Sequence, residues 1–122
     1  MDELLYTPDE ANSLLPELRQ SLARIREARQ VVLRGAERIR RVATLNGGGP
    51  QSAEYWEALD TLREEIESLS ERGIVLRDPE TGLIDFPARR EGREVFLCWR
   101  LGEDRVAYWH GPETGFAGRR PL

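Results

Sequence analysis

The sequence predicts an α+β fold: a long antiparallel helical hairpin, then a small three- or four-stranded antiparallel β-meander and an irregular but ordered C-terminal tail. Three observations lead there. Ala11, Leu18, Ile25, Val32 and Ile39 recur every seven residues, the spacing of a helical seam. The run Asn46-Gly47-Gly48-Gly49-Pro50 interrupts that seam, and a second helical pattern follows it. After Gly73 the period changes to the alternation of strands, most clearly over residues 93–101.

The elements follow in order. Thr7-Pro8-Asp9-Glu10 reads as a helix start. Thr7 caps, Pro8 occupies the first turn where its missing N–H costs nothing, and Glu10 returns a bond to the cap. Leu14, Leu15, Leu22, Ala28, Ala36, Val42 and Ala43 fill the stripe beside the seam. Unbroken to Ala43, this helix would be about 54 Å long, wider than a domain of this size, so part of it must project or pack on another chain. Pro16 removes a backbone donor and predicts a kink, and Gly35 weakens the helix by about 1 kcal/mol relative to Ala. Residues 44–51 read as a flexible loop. Ser52 caps a second helix that runs to about Arg72 on Tyr55, Leu59, Leu62, Ile66 and Leu69, with Gly73 as its stop. Residues 8–72 thus form the hairpin. Two helices leave much of each stripe uncovered, so a homodimer or a partner protein held through the hairpin is the leading expectation. Leu22→Glu or Ile25→Glu is expected to abolish it.

Residues 73–122 carry the sheet and tail. Ile74-Val75-Leu76-Arg77 and Leu83-Ile84-Asp85-Phe86-Pro87 flank the turn Asp78-Pro79-Glu80-Thr81-Gly82. Arg89-Arg90-Glu91-Gly92 makes the next turn. The strongest strand places Val95, Leu97, Trp99 and Leu101 on one face and Glu94, Phe96, Cys98 and Arg100 on the other. Gly102-Glu103-Asp104 returns the chain into Arg105-Val106-Ala107-Tyr108-Trp109-His110. The last twelve residues are too rich in Gly and Pro for regular structure, while Phe116 and Leu122 offer apolar anchors.

Composition narrows the function classes. The chain has 122 residues, 39% of them hydrophobic and 33% charged, which fits one domain over residues 1–122. No window approaches the roughly 18 apolar residues of a spanning helix, and the start carries no signal-peptide pattern, so no membrane partner and no export are expected. The single cysteine, Cys98, has no internal disulfide partner and fits a reducing, cytoplasmic compartment. All 18 basic residues are Arg, against 22 acidic residues, for a net charge of −4. The densest basic patch, Arg34, Arg38, Arg40 and Arg41, reads as a solvated helical face, and a nucleic-acid partner is not expected.

The words Thr81-Gly82-Leu83-Ile84-Asp85-Phe86-Pro87, Leu97-Cys98-Trp99-Arg100-Leu101-Gly102-Glu103, Tyr108-Trp109-His110 and Gly115-Phe116-Ala117-Gly118-Arg119 belong together. With the opening Tyr6-Thr7-Pro8-Asp9-Glu10-Ala11-Asn12-Ser13-Leu14-Leu15-Pro16, they resemble the bacterial domain of unknown function 2203 family. The resemblance covers nearly the whole chain, its middle matching only as generic helix. It implies which words form a unit and supplies no activity, substrate or cofactor.

His110 is the only histidine, so any imidazole chemistry within one chain must use it. Its possible partners are Asp85, Cys98 and Glu103. A two-residue loop at Glu103-Asp104 would pair Trp99 with Tyr108 and put Cys98 and His110 on opposite faces; a three-residue loop would bring them together. One Cys and one His give two zinc ligands where at least three are needed, with Asp85 the only third candidate, so no metal and no cofactor are expected. No phosphate loop is present, because Gly47-Gly48-Gly49 lacks the lysine and the preceding strand. Asp85, between Ile84 and Phe86, must find a cation or donors if buried, and Arg93, Arg100 or Arg119 could supply them. The structural reading is an ion pair that fixes the tail to the sheet. The functional reading is a ligand site in which Asp85, Glu103, His110 and Arg119 converge while Trp99, Tyr108 and Trp109 line the walls, with Arg100 beside them. No catalytic residue is assigned. The leading reading is a non-catalytic interaction or self-assembly module; the alternative is a small-ligand or metal-binding protein, with enzyme activity left open.

Overall fold

A computed structural model describes residues 4–46 and 52–122. In chain order they form α1 (Pro8–Asn46), α2 (Ala53–Glu71), β1 (Val75–Asp78), β2 (Leu83–Arg90), β3 (Arg93–Arg100), β4 (Tyr108–His110), a 3-10 turn (Phe116–Gly118) and β5 (Arg120–Pro121).

The helix boundaries follow local chemistry. The Thr7 N–H donates to Glu10 Oε1 at 2.8 Å and the Glu10 N–H donates to Thr7 Oγ1 at 3.1 Å, the reciprocal capping box read from the sequence. α1 passes through Pro16 without interruption and continues to Asn46, three residues past the predicted end. Residues 47–51 of the predicted loop lie outside the described residues. Ser52 Oγ accepts the Tyr55 N–H at 3.2 Å to open α2. At its other end Gly73, with φ 73°, lets the Ile74 N–H reach the Leu69 carbonyl and its own N–H reach that of Ser70, both at 3.0 Å. That is a Schellman stop, and it turns the chain into the sheet.

The sheet is antiparallel in the order β1-β2-β3-β4-β5. Its fifth strand comes from the tail, where Tyr108 pairs with Pro121 and Trp109 with Arg120. A two-residue strand ending in proline carries too little alternation to be read, so the strand count rises from the predicted three or four. The β2–β3 turn has Glu91 at φ 53° and Gly92 at φ 78°, the pair of left-handed residues that a two-residue hairpin favours. At the β1–β2 turn a Cβ on Gly82 would lie 2.7 Å from the Leu101 Cβ, so only glycine fits.

Pairing of Asp85 with Cys98, Cys98 with Tyr108 and Phe96 with His110 puts all five on the outer face. Ile84, Phe86, Ala88, Val95, Leu97 and Trp99 face the helices and form the core with Ala11, Leu15, Leu18, Leu22, Ile25 and Leu69. Ile25 is the last α1 residue in that core. The heptad seam is therefore divided: its first three positions cover the sheet, and Val32 and Ile39, further out, are half-buried. Leu22 and Ile25 are 0% exposed. A glutamate at either would place a charge in the core and unfold the chain, so these positions do not report on association between copies.

Polar clamps tie α2 to α1. Ser21 Oγ donates to Glu65 Oε1 at 2.6 Å, Arg24 Nε donates to Glu65 Oε2 at 2.9 Å, and Arg72 bonds Glu17 at 3.0 Å. Further out, the helices meet at small residues. A Cβ on Gly35 would lie 2.3 Å from Tyr55 Cδ1, in the body of the ring and not at its far end. Gly35→Ala gains about 1 kcal/mol of helix propensity but forces the ring out of its seat, at about 1–3 kcal/mol. The expected result is a net loss of stability with local loosening of the hairpin, read as faster amide exchange around residues 32–39. A stabilised variant would show that the two helices are not held this closely.

Candidate functional site

The chemistry-bearing residues meet on the outer face of the sheet. His110 is on β4, and its Nδ1 lies 2.7 Å from the Gly111 carbonyl, which can only accept, so Nδ1 carries a hydrogen. Nε2 then points at Asp85 Oδ2, 2.9 Å away on the interior strand β2. Asp85 Oδ2 also accepts the Arg77 Nε–H at 2.8 Å. Arg77 sits at the β-bulge between Leu76 and Asp78, and its side chain reaches the Asp85 face from there. Its guanidinium lies 5.1 Å over the Phe96 ring, which packs 5.5 Å from the His110 ring. Asp85 is 1% exposed and His110 2%. The second carboxylate oxygen, Asp85 Oδ1, is buried with no hydrogen-bond partner among the described residues.

Cys98 lies directly across from Asp85 on β3 and is fully buried. Burial first, and the Asp85 carboxylate next, push its thiol up to about 11, while Arg119 pulls the other way. At neutral pH it is a thiol, not a nucleophile. Arg119 folds back from the tail with its Nη1 3.8 Å from Cys98 Sγ. It forms a fork with Glu103, at 3.1 and 2.5 Å, between the rings of Tyr108 and Phe116 at 4.0 and 4.2 Å. Glu103 Oε1 also accepts the Arg100 N–H at 2.9 Å, and the Arg100 guanidinium lies 5.0 Å over Phe116.

The matching family model, DUF2203, is described as an uncharacterized conserved protein and covers residues 4–122. The chain belongs to the DUF2203 family. No curated protein and no solved structure matches it. In this DUF2203 chain no helix among the described residues is long and apolar enough to cross a membrane.

Of the residues read from the sequence, the fold brings Asp85 to His110, and Glu103, Tyr108, Arg100 and Phe116 to Arg119. It does not bring Trp99 or Trp109 there. Trp99 is buried on the helix face, where its Nε1–H donates to the Glu103 carbonyl at 3.2 Å. Trp109 pairs with Leu97 on that same face, beneath Arg90 and Arg120. The hollow beside Trp109, about 450 Å³ and lined also by Arg90 and Arg93, contains neither Asp85 nor His110. The partner of Asp85 is Arg77, not Arg93, Arg100 or Arg119. The tail is fixed to the sheet by Glu103 and Arg119 instead. Sequence reasoning missed Arg77, because the β-bulge at its position breaks the alternation that would have placed it.

The Glu103–Arg119 fork makes the tail acid-sensitive. Burial raises the Glu103 carboxyl, but the Arg119 fork and the Arg100 N–H outweigh it and leave the group below its ordinary value. A carboxylate lowered in the folded state stabilises fully above its unfolded pKa, near about 4.3, and loses that contribution as the pH falls through the folded value. Acidification below about pH 4 is therefore expected to free the tail before the core opens. Amide exchange would show it as early loss of protection at Arg119 and Leu122 relative to Leu97. Simultaneous loss would contradict the assignment.

Proposed function

We propose that the chain is a non-catalytic self-assembly module of the cytoplasm whose hairpin pairs with the hairpin of a second copy. The observation that carries this reading is the part of the hairpin outside the core. Beyond Ile25, α1 continues for about 30 Å, and Leu33 and Trp56 on this projection are 51% and 52% exposed. Charge fits a second copy. The outer part of α1 carries Arg26, Arg29, Arg34, Arg38, Arg40 and Arg41 against two acids, Glu27 and Glu37. α2 carries Glu54, Glu57, Asp60, Glu64, Glu65, Glu67 and Glu71 against one base, Arg63. A two-fold axis that sets α1 of one copy against α2 of the other gives each helix opposite-sign neighbours and covers Leu33 and Trp56. Light scattering on the eluting protein at micromolar concentration is expected to give twice the chain mass of 14.0 kDa. A monomer into the millimolar range overturns the reading.

A second reading is favoured by the orphaned Asp85 Oδ1, since buried polar atoms without partners are rare and costly. The outer face of the sheet would then hold a small ligand or ion against Asp85, with Arg100, Glu103, Tyr108 and Arg119 closing its edge. Native mass spectrometry of the chain isolated from its source cells is expected to show retained mass. A bare chain under gentle conditions contradicts this second reading and leaves the first untouched.

A further inference from the structure

We propose that Asp85, Cys98 and His110 form a binding site for one divalent transition-metal ion of the zinc type. This inference deepens the second reading above and rests on it. One ligand atom from each of the three residues lies within 4.8 Å of the others, and all three residues are buried. Bonds of about 2.0–2.3 Å to a tetrahedral ion place ligand atoms about 3.6 Å apart, so side-chain rotation of about 1 Å closes the set.

The stronger argument is the surroundings of each ligand. His110 is held by Nδ1 to the Gly111 carbonyl, which leaves Nε2 as the nitrogen facing the cluster. Asp85 Oδ2 meets both Arg77 and His110 Nε2, and Oδ1 has no hydrogen-bond partner among the described residues. Cys98 has an Arg119 N–H beside its sulfur, a donor that would stabilise a thiolate. His110 and Asp85 are each oriented by a different outer group through an atom not needed for the ion, and Arg119 hydrogen-bonds the Cys98 sulfur itself, the usual construction around a metal. One thiolate, one imidazole and one carboxylate suit zinc, cobalt or ferrous iron, and the sulfur argues against calcium and magnesium. A carboxylate and a thiolate offset the two charges of the ion. Of the flanking cations, Arg119 is already met by Glu103 and Arg77 remains partly in solvent. Three protein ligands leave the fourth position for water or a bound molecule.

Binding must also displace a proton. The ion replaces the hydrogen on the Cys98 sulfur, so a proton leaves on binding and affinity rises with pH. Arg77, Arg119 and Glu103 are the other charged groups around the cluster.

Titrating the full chain, stripped with a chelator, with cobalt(II) alone tests this. The expected result is one ion per chain, a thiolate-to-cobalt charge-transfer band in the near ultraviolet, proton release in weak buffer, and loss of the band when zinc is added. Cys98→Ser should remove the band, and Asp85→Asn should weaken binding by about 100-fold or more. A missing band in the unmodified chain overturns the site whether or not the variants fold. Equal cobalt affinity in Cys98→Ser overturns it too, placing the ion elsewhere. A metal-free chain that retains an organic molecule would sink the metal while sustaining the second reading; a chain that holds neither sinks both.

Discussion

A chain carrying both Leu33→Glu and Trp56→Glu is expected to run as a monomer at concentrations where the unmodified chain is a dimer, with unchanged helix content. Both side chains are about half exposed within one chain, so the fold loses little when they change. In the paired hairpins each would be buried, and each occurs twice by symmetry. Burying a large apolar side chain contributes about 1.5–3 kcal/mol. Four such losses, with four carboxylates added to the interface, weaken association by more than about a thousandfold at about 1.4 kcal/mol per decade. Sedimentation velocity reads the change directly. A double variant that remains a dimer would place the interface elsewhere.

The second large effect is expected at Asp85. Asp85→Ala leaves His110 buried without its carboxylate and removes the acceptor of Arg77. Breaking a buried charge pair by deleting one partner costs about 3–5 kcal/mol, because the remaining polar group stays desolvated. For a chain of this size that lowers the thermal midpoint by about 10–20 °C. Asp85→Asn keeps the shape and one acceptor oxygen and should cost distinctly less. Urea unfolding of the two variants beside the unmodified chain gives the comparison, and a cost below about 1 kcal/mol for Asp85→Ala would contradict a structural pairing of these three residues.

Which features could be read beforehand follows from the range of the interaction that fixes each. Thr7 with Glu10, Ser52 with Tyr55, and Gly73 after α2 act within one helical turn, and all three stand where the sequence placed them. The alternation along β3 identified its buried face because one side of the strand meets the helices. Features that depend on distant partners were not legible. The β3–β4 register pairs Cys98 with Tyr108 and not with His110, so Cys98 and His110 are diagonal neighbours on one face. Neither loop length considered from the sequence gave that pairing. The loop is shaped by Trp99 reaching the Glu103 carbonyl and by the Glu103 side chain reaching Arg119, sixteen residues on. Three aromatics within eleven residues suggested a common wall, yet Trp99 and Trp109 lie on the helix face and Tyr108 on the other. The heptads located Ile25 on the seam and Leu22 beside it but could not say that the sheet, and not a second copy, covers them.

The pairing of α1 against α2 of a second copy is tested most directly by charge reversal and mixing. One chain carries Arg34→Glu, Arg38→Glu, Arg40→Glu and Arg41→Glu, and the other carries Glu54→Arg, Glu57→Arg, Asp60→Arg and Glu64→Arg. Two like-charged helices would face each other in either homodimer, whereas in the mixed dimer every helix meets the opposite sign. Native mass spectrometry at low salt is expected to show monomers of each chain alone and a heterodimer on mixing. Homodimers of both variants as abundant as those of the unmodified chain, with no preference for the mixed species, would contradict the account.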